Sequence, residues 1–208
     1  MKIKSKLAAA LMVATSFGVM AGGTISVVSD ESPTSFASLS SRGTFNPAGV
    51  NLPALQGIYG NDFVKNATVS FSDSTPVVFS FVGKEAGNTN AFGLGLVDST
   101  GNRLLLNTSA PGSSVVSSVM SGAFSFYFYD VTTNNLVANP SFAIGVAQGA
   151  DKSKALFVFN DNGSKDGDYD DMVVSVTAVP EPETYAMMLA GLGLIGAIAR
   201  RRNKAKAA

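Results

Sequence analysis

Five carboxylates fall within eleven residues of one segment, Asn160-Asp-Asn-Gly-Ser-Lys-Asp-Gly-Asp-Tyr-Asp-Asp171. They are Asp161, Asp166, Asp168, Asp170 and Asp171, countered there only by Lys165. Clustered carboxylate and amide oxygens are ligands for a hard cation. Their number and charge favour Ca2+, which accepts about six to eight irregularly placed oxygens, over the octahedral Mg2+. Spacing sets a condition on that chemistry. In an extended chain Asp166 and Asp170 would stand ~13 Å apart, at ~3.3 Å per residue. Ligands ~2.4 Å from a metal lie at most ~5 Å from one another, so the segment must curl. Gly163 and Gly167 permit this. Two carboxylates ~7 Å apart repel by ~0.6 kcal/mol in water and by ~2.4 kcal/mol at an effective dielectric of ~20. An ordered loop therefore calls for a cation, whereas a solvated acidic hairpin does not; both readings stand at this point. An EF-hand is excluded, since a loop starting at Asp166 has Asp171 in place of its glycine and Thr177 in place of its final Glu.

The elements that must position this segment are strands. Ala155–Phe159 and Met172–Ala178 flank it as apolar runs, which makes it a long connection on a rigid base. Ala123–Tyr129 alternates with period two, placing Phe124, Phe126 and Phe128 on a core face and Tyr127 and Tyr129 on the other. Further strands are predicted over 67–72, 77–82, 91–97, 103–106 and 142–147, with turn chemistry at 98–102 and 132–135. The stretch 29–41 is serine-rich, 46–53 is loop-like, and 56–64 is the place for one short helical turn. About eight short strands and no convincing 3.6-residue period predict an all-β fold. The expected form is an antiparallel β-sandwich of jelly-roll type, with a closed barrel second. Gly93 and Gly95 leave one sheet face bare, for tight packing or for close approach by a ligand.

The run Leu156-Phe-Val-Phe-Asn-Asp161 through Asp168-Tyr-Asp-Asp-Met-Val-Val174 resembles an aspartate-rich domain of exported bacterial proteins. The pattern of that domain is a strand ending in an acidic pair, a glycine-rich loop, Asp-Tyr-Asn-Asp and a hydrophobic strand. The resemblance implies a Ca2+-binding β-sandwich with Asp161, Asp166, Asp168 and Asp171 on its acidic positions. Asn160 stands where an acid is usual and Asp170 where asparagine is usual, which keeps oxygen ligands while moving charge.

Both termini carry targeting signals. Lys2, Lys4 and Lys6 precede an uncharged run from Leu7 to Val19, and Val19-Met20-Ala21 supplies small residues for cleavage after Ala21. This is the layout of a secretory signal peptide, 1–21. At the other end Pro180, Glu181 and Pro182 precede an apolar, glycine-rich run ending in Arg200, Arg201 and Arg202. Cations on that side hold the C-terminus in the cytoplasm. As a helix, residues 184–199 would be ~24 Å long, short of a ~30 Å hydrocarbon core, which suits a short transmembrane helix of temporary residence. The layout resembles the PEP-CTERM sorting signal of exported bacterial proteins. That resemblance implies recognition by an exosortase near the Pro-Glu-Pro step, after export by the Sec machinery. Three regions follow: signal peptide 1–21, a β-sandwich passenger 22–179, and a sorting signal 180–208.

Composition narrows the chemistry. Histidine, cysteine and tryptophan are absent, which removes Ser-His-Asp and Cys-His catalysis, zinc sites built on nitrogen or sulfur, and thiol redox chemistry. The formal charge of zero hides an asymmetry: residues 22–179 hold seven basic and thirteen acidic side chains, a net −6. Such a surface repels phosphates and speaks against nucleic acid. The expectation is a non-enzymatic protein with no catalytic and no organic cofactor residues, stabilised by Ca2+. It would pass through an inner-membrane intermediate to the cell surface or extracellular matrix, structural or adhesive within exopolysaccharide or biofilm. The alternatives are a carbohydrate-binding module using Tyr127 and Tyr129 or a loop end, and a carboxylate-dependent glycoside hydrolase. The hydrolase needs two carboxylates about 5–9.5 Å apart across a cleft, and no spacing among Asp62, Asp73, Glu85, Asp98 and Asp130 singles out such a pair.

Overall fold

The computed structural model describes residues 23–36, 52–72, 75–85, 87–95, 103–119, 121–161, 169–179, 188–198 and 200. The signal peptide, the turn at 98–102 and the Pro-Glu-Pro step lie outside the described residues, as do Asp166, Asp168, Arg201 and Arg202. Gly23–Val179 forms one compact unit; the terminal segments 1–22 and 180–208 are grouped apart from it.

Fourteen strands and one helix build the described part of the compact unit. In chain order they are β1 (Ile25–Val28), β2 (Thr34–Ser35), α1 (Leu52–Tyr59), β3 (Asp62–Lys65), β4 (Thr68–Phe71), β5 (Thr75–Gly83) and β6 (Asn90–Leu94). There follow β7 (Arg103–Leu106), β8 (Ser114–Val119), β9 (Gly122–Phe124), β10 (Phe126–Asp130), β11 (Asn135–Ala138), β12 (Ile144–Gln148), β13 (Lys154–Phe159) and β14 (Met172–Ala178). They assemble, with antiparallel pairing, into sheets ordered β1-β4-β9, β11-β10-β6-β7 and β2-β3-β12-β13-β14-β5-β8. The all-β expectation holds.

The four- and seven-stranded sheets meet through phenylalanines. Phe126 stacks on Phe157 with centroids 4.2 Å apart, and Phe128 on Phe159 at 4.7 Å. Phe92 reaches Phe79 at 5.4 Å and Phe157 at 6.1 Å. Phe124, Phe126 and Phe128 are buried together, as their period-two spacing predicts. Burying each ring contributes about 1.5–3 kcal/mol, so this aromatic seam is the main cohesive feature between the two sheets.

The middle strands of the seven-stranded sheet are buried on both faces. Leu156, Val158 and Val173 point to a second core with Phe36, Leu55, Tyr59, Phe63 and Tyr169, while Phe157, Phe159 and Val174 face the first. That explains why β13 and β14 read as apolar runs instead of clean alternation. The cover includes α1, which starts four residues earlier than the helical turn expected over 56–64. Gly60, with φ of 79°, ends it, and its N–H closes onto the Gln56 carbonyl at 2.9 Å. Asp62–Lys65 then runs as strand rather than helix.

One strand expectation is revised, and the C-terminal helix is described in part. The stretch 123–129 is two strands: β9 pairs with β4, whereas β10 pairs with β6 and β11. The chain changes sheets at Ser125, whose carbonyl accepts the Gly95 N–H at 2.9 Å. The C-terminal segment is helical over 188–198, termed α2 below. It exposes Met188, Leu189, Leu192, Leu194, Ile195 and Ile198. Among the described residues no helix is long and apolar enough to cross a membrane, and residues 184–187 and 199 of the short transmembrane helix expected over 184–199 lie outside the described residues.

Candidate metal centre at the aspartate loop

Strands β13 and β14 pair in register, Leu156 with Ser175 and Val158 with Val173, and this fixes both ends of the acidic connection. At its start Asn160 is fully buried and its N–H bonds the Ala143 carbonyl at 3.0 Å. On the return side Tyr169 is 2% exposed; its ring lies 4.9 Å from that of Phe63 and its hydroxyl donates to the Phe142 carbonyl at 2.6 Å. An aromatic side chain within an otherwise acidic run thus anchors the connection in the second core. Asp170 forms an isolated parallel bridge with Phe159, and its carbonyl accepts the Glu85 N–H at 2.7 Å.

Of the five expected ligand residues, Asp161 and Asp171 meet at this base, and Asp170 is held beside them by its bridge to Phe159. Asp170 and Asp171 are buried, and Asp161 is half-buried. The Asp161 N–H donates to Asp171 Oδ2 at 2.7 Å, closing the neck. Burial of two carboxylates within one turn of backbone is costly unless hydrogen bonds or a cation compensate. The remaining two, Asp166 and Asp168, are outside the described residues. Among the described residues no set of three carboxylates converges closely enough to hold a metal. Carboxylates from the described base would therefore have to be supplemented.

The supplement at hand comes from the other sheet, which sequence reasoning missed. Asn90, at the start of β6, is fully buried and its Nδ2 donates to Asp161 Oδ2 at 3.1 Å and, at 3.5 Å, to the Asp171 carbonyl. Its Oδ1 has no donor among the described residues. Around it runs a polar network. The Asn107 N–H donates to the Asn90 carbonyl at 2.8 Å, and Asn107 Nδ2 to the Asn88 carbonyl at 2.9 Å. Asn88 Nδ2 donates to Asp130 Oδ2 at 2.9 Å. Asp130 also accepts the Thr132 and Thr133 N–H groups and the Thr133 hydroxyl, so its carboxylate closes the β10–β11 turn. No signal within a window of sequence could tie Asn90 to a loop some 70 residues away; only β6 and β13 facing each other does so. An oxygen-rich, cysteine- and histidine-free donor set with an unused buried amide oxygen fits a hard cation such as Ca2+.

The tyrosine face expected to meet sugars is different. Tyr127 is 1% exposed, which removes it as a stacking platform. Tyr129 is half-buried, with the Arg103 guanidinium 4.6 Å over its ring and its hydroxyl bonded to Asn134. Gly93, opposite Tyr127 in the sheet, is buried as well. Packing accounts for the bare face at Gly93, whereas Gly95 is exposed and a Cβ there would meet nothing within 4 Å.

The C-terminal end of the unit leads into the second functional segment. Ala178, the last residue of β14, is buried, and Val179 is held on both sides: its N–H donates to the Pro76 carbonyl at 2.9 Å and its carbonyl accepts the Thr75 hydroxyl at 2.6 Å. Beyond it residues 178–203 match the family model of the PEP-CTERM protein-sorting motif. The chain carries a PEP-CTERM sorting signal. It takes in Pro180, Glu181, Pro182, α2 and Arg200, Arg201 and Arg202. PEP-CTERM signals are processed by an exosortase and mark an exported protein sorted to the cell surface. Comparison with curated proteins and with solved structures returns no match.

Proposed function

We propose that this is a non-enzymatic surface or extracellular-matrix protein, structural or adhesive within exopolysaccharide, whose jelly-roll β-sandwich is stabilised by Ca2+ at the aspartate loop. The PEP-CTERM signal at 178–203 carries the reading, because it sets the destination. Support for the cation comes from the buried Asp170 and Asp171, the Asp161–Asp171 neck and the oxygen-only chemistry of the chain. Support for a non-catalytic role comes from the absence of histidine and cysteine and from Asp130, whose oxygens are taken up by its own turn. In this reading α2, with the apolar residues before it, serves as a brief inner-membrane anchor and not as a permanent span. A carbohydrate-binding module would have to use a loop end, since Tyr127 is buried.

Sorting is tested in the cell. Glu181→Ala is expected to leave the precursor in the inner-membrane fraction, while the parent chain reaches the surface or the medium. Release of the variant at the parental level would overturn exosortase handling and leave export itself intact.

A further inference from the structure

Asn90 is fixed in its backbone but not in its amide. The strand position is set by β10, where Asn90 pairs with Asp130, and by the Asn107 N–H on its carbonyl at 2.8 Å. The side chain, wholly buried, reaches from β6 to the neck of the aspartate loop, with Nδ2 3.1 Å from Asp161 Oδ2 and 3.5 Å from the Asp171 carbonyl oxygen. Those two oxygens are cation ligands by type, and the atom set between them is a donor. The acceptor atom of the same amide is buried and lacks a donor among the described residues. A buried acceptor left unmatched is unfavourable, and a half-turn of the amide exchanges nitrogen for oxygen without moving the backbone.

We infer that Asn90 is a ligand of the loop cation, contributed by the opposite sheet: with the cation bound, the amide turns and Oδ1 joins Asp161 Oδ2 and the Asp171 carbonyl around it. Without the cation, Nδ2 occupies that place and holds Asp161 through a hydrogen bond from the neutral amide. This inference rests on the cation reading above and adds a specific consequence. The cation ties the four-stranded sheet to the β13–β14 connection, so binding clamps the two sheets together at one end. Carboxylates alone do not converge among the described residues, and an amide oxygen from β6 supplies a further neutral ligand. Neutral oxygens are normal members of a Ca2+ shell.

The experiment uses the full chain purified in detergent, with Ca2+ and with Tb3+, an oxygen-seeking stand-in whose emission tyrosine sensitises. Calorimetry gives Kd, and Tb3+ decay in H2O against D2O gives the number of bound waters. Asn90→Ala is expected to raise Kd for Ca2+ about tenfold and to add about one water to the shell, as for any lost oxygen ligand. Kd and hydration unchanged in a folded Asn90→Ala chain would overturn the inference, because a residue that merely cross-links Asp161 leaves the shell intact. Should the variant fail to fold, side-chain amide spectra of the parent chain decide: Ca2+ must remove the contact between the Asn90 Nδ2 protons and the Asp161 Cβ protons, and its persistence overturns the inference. A parent chain that binds neither ion overturns the cation reading together with this one. Binding lost in Asp171→Asn but intact in Asn90→Ala overturns only the role of Asn90.

Discussion

In the proposed cation site Asp171 would serve two purposes at once, and asparagine in its place separates them. Its Oδ2 accepts the Asp161 N–H, a bond that an asparagine oxygen can also make, whereas its charge is useful chiefly to a cation. Asp171→Asn combined with Asp168→Asn is therefore expected to leave the metal-free melting temperature nearly unchanged. Ca2+ at about 100 times Kd should stabilise the parent by ~2.7 kcal/mol, which for a domain of this size is a rise of roughly 5–11 °C, and the double variant should lose that rise. Scanning calorimetry in EDTA, Ca2+ and Mg2+ reads it directly; an equal rise in both chains would make the loop a solvated acidic hairpin. Tyr59 offers a second residue-scale test. Burial pushes its hydroxyl above the usual tyrosine range, with a hydrogen bond to Ser175 working the other way. The folded state thus holds the proton more tightly than the unfolded one. The stabilisation is complete below the unfolded value of about 10 and is lost as pH rises through the folded value. Tyr59→Phe should flatten the fall in melting temperature as pH rises above about 10. Parallel slopes for parent and variant would assign the alkaline limb to other groups.

Strand β12 passes under the second core with no side chain at Gly145. A Cβ there would meet Phe63 Cδ2 at 2.3 Å and Val158 Cγ2 at 2.5 Å, on β3 and β13. Those atoms belong to packed rings and branched chains, so the strain cannot be shed by a flexible tip. Gly145→Ala is expected to cost about 1–3 kcal/mol and to lower the melting temperature by roughly 2–12 °C. Gly57→Ala in α1, which meets nothing within 4 Å, is the control and should not fall. A Gly145→Ala chain as stable as the parent would mean that β3 shifts outward freely. The same elements show what could be read beforehand. β7 and β14 were legible to the residue because apolar runs there end at turn-forming residues. β1, β3, β8 and β11 were not legible, being four to six residues long and mixing polar with apolar residues at mostly exposed or half-buried positions. The break at Ser125 escaped because Phe124, Phe126 and Phe128 keep one phase while the strand changes partners. At the site, the acidic cluster and its flanking strands were visible in the chain, whereas Asn90 became a neighbour only through the facing of two sheets.

At the scale of the whole chain, the sorting motif begins where the last strand of the folded unit ends. Both hydrophobic cores are built from residues between Ile25 and Ala178. The last backbone groups they hold are those of Val179, pinned to Pro76 and Thr75 at the open end of β5. The sorting motif overlaps the folded unit only at residues 178 and 179. Among the described residues neither core includes a side chain beyond Ala178, and processing near the Pro-Glu-Pro step would leave every rung between β14 and β5 in place. Chains ending at Val179 and chains carrying the full C-terminus should accordingly unfold at the same temperature, to within about 2 °C. Ending the chain three residues earlier, at Val176, is expected to behave differently. That cut removes the Ala178–Val77 and Thr177–Val78 pairs and the partner of the Thr75 hydroxyl, and it exposes the fully buried Val77. Loss of these two pairs with β5, of the Thr177–Lys154 pair with β13 and of one buried side chain's cover should lower stability by about 2–4 kcal/mol. Calorimetry on the three lengths distinguishes the cases. If the Val179 chain melts as low as the Val176 chain, the sorting segment is part of the fold, and release by an exosortase would also be a destabilising event.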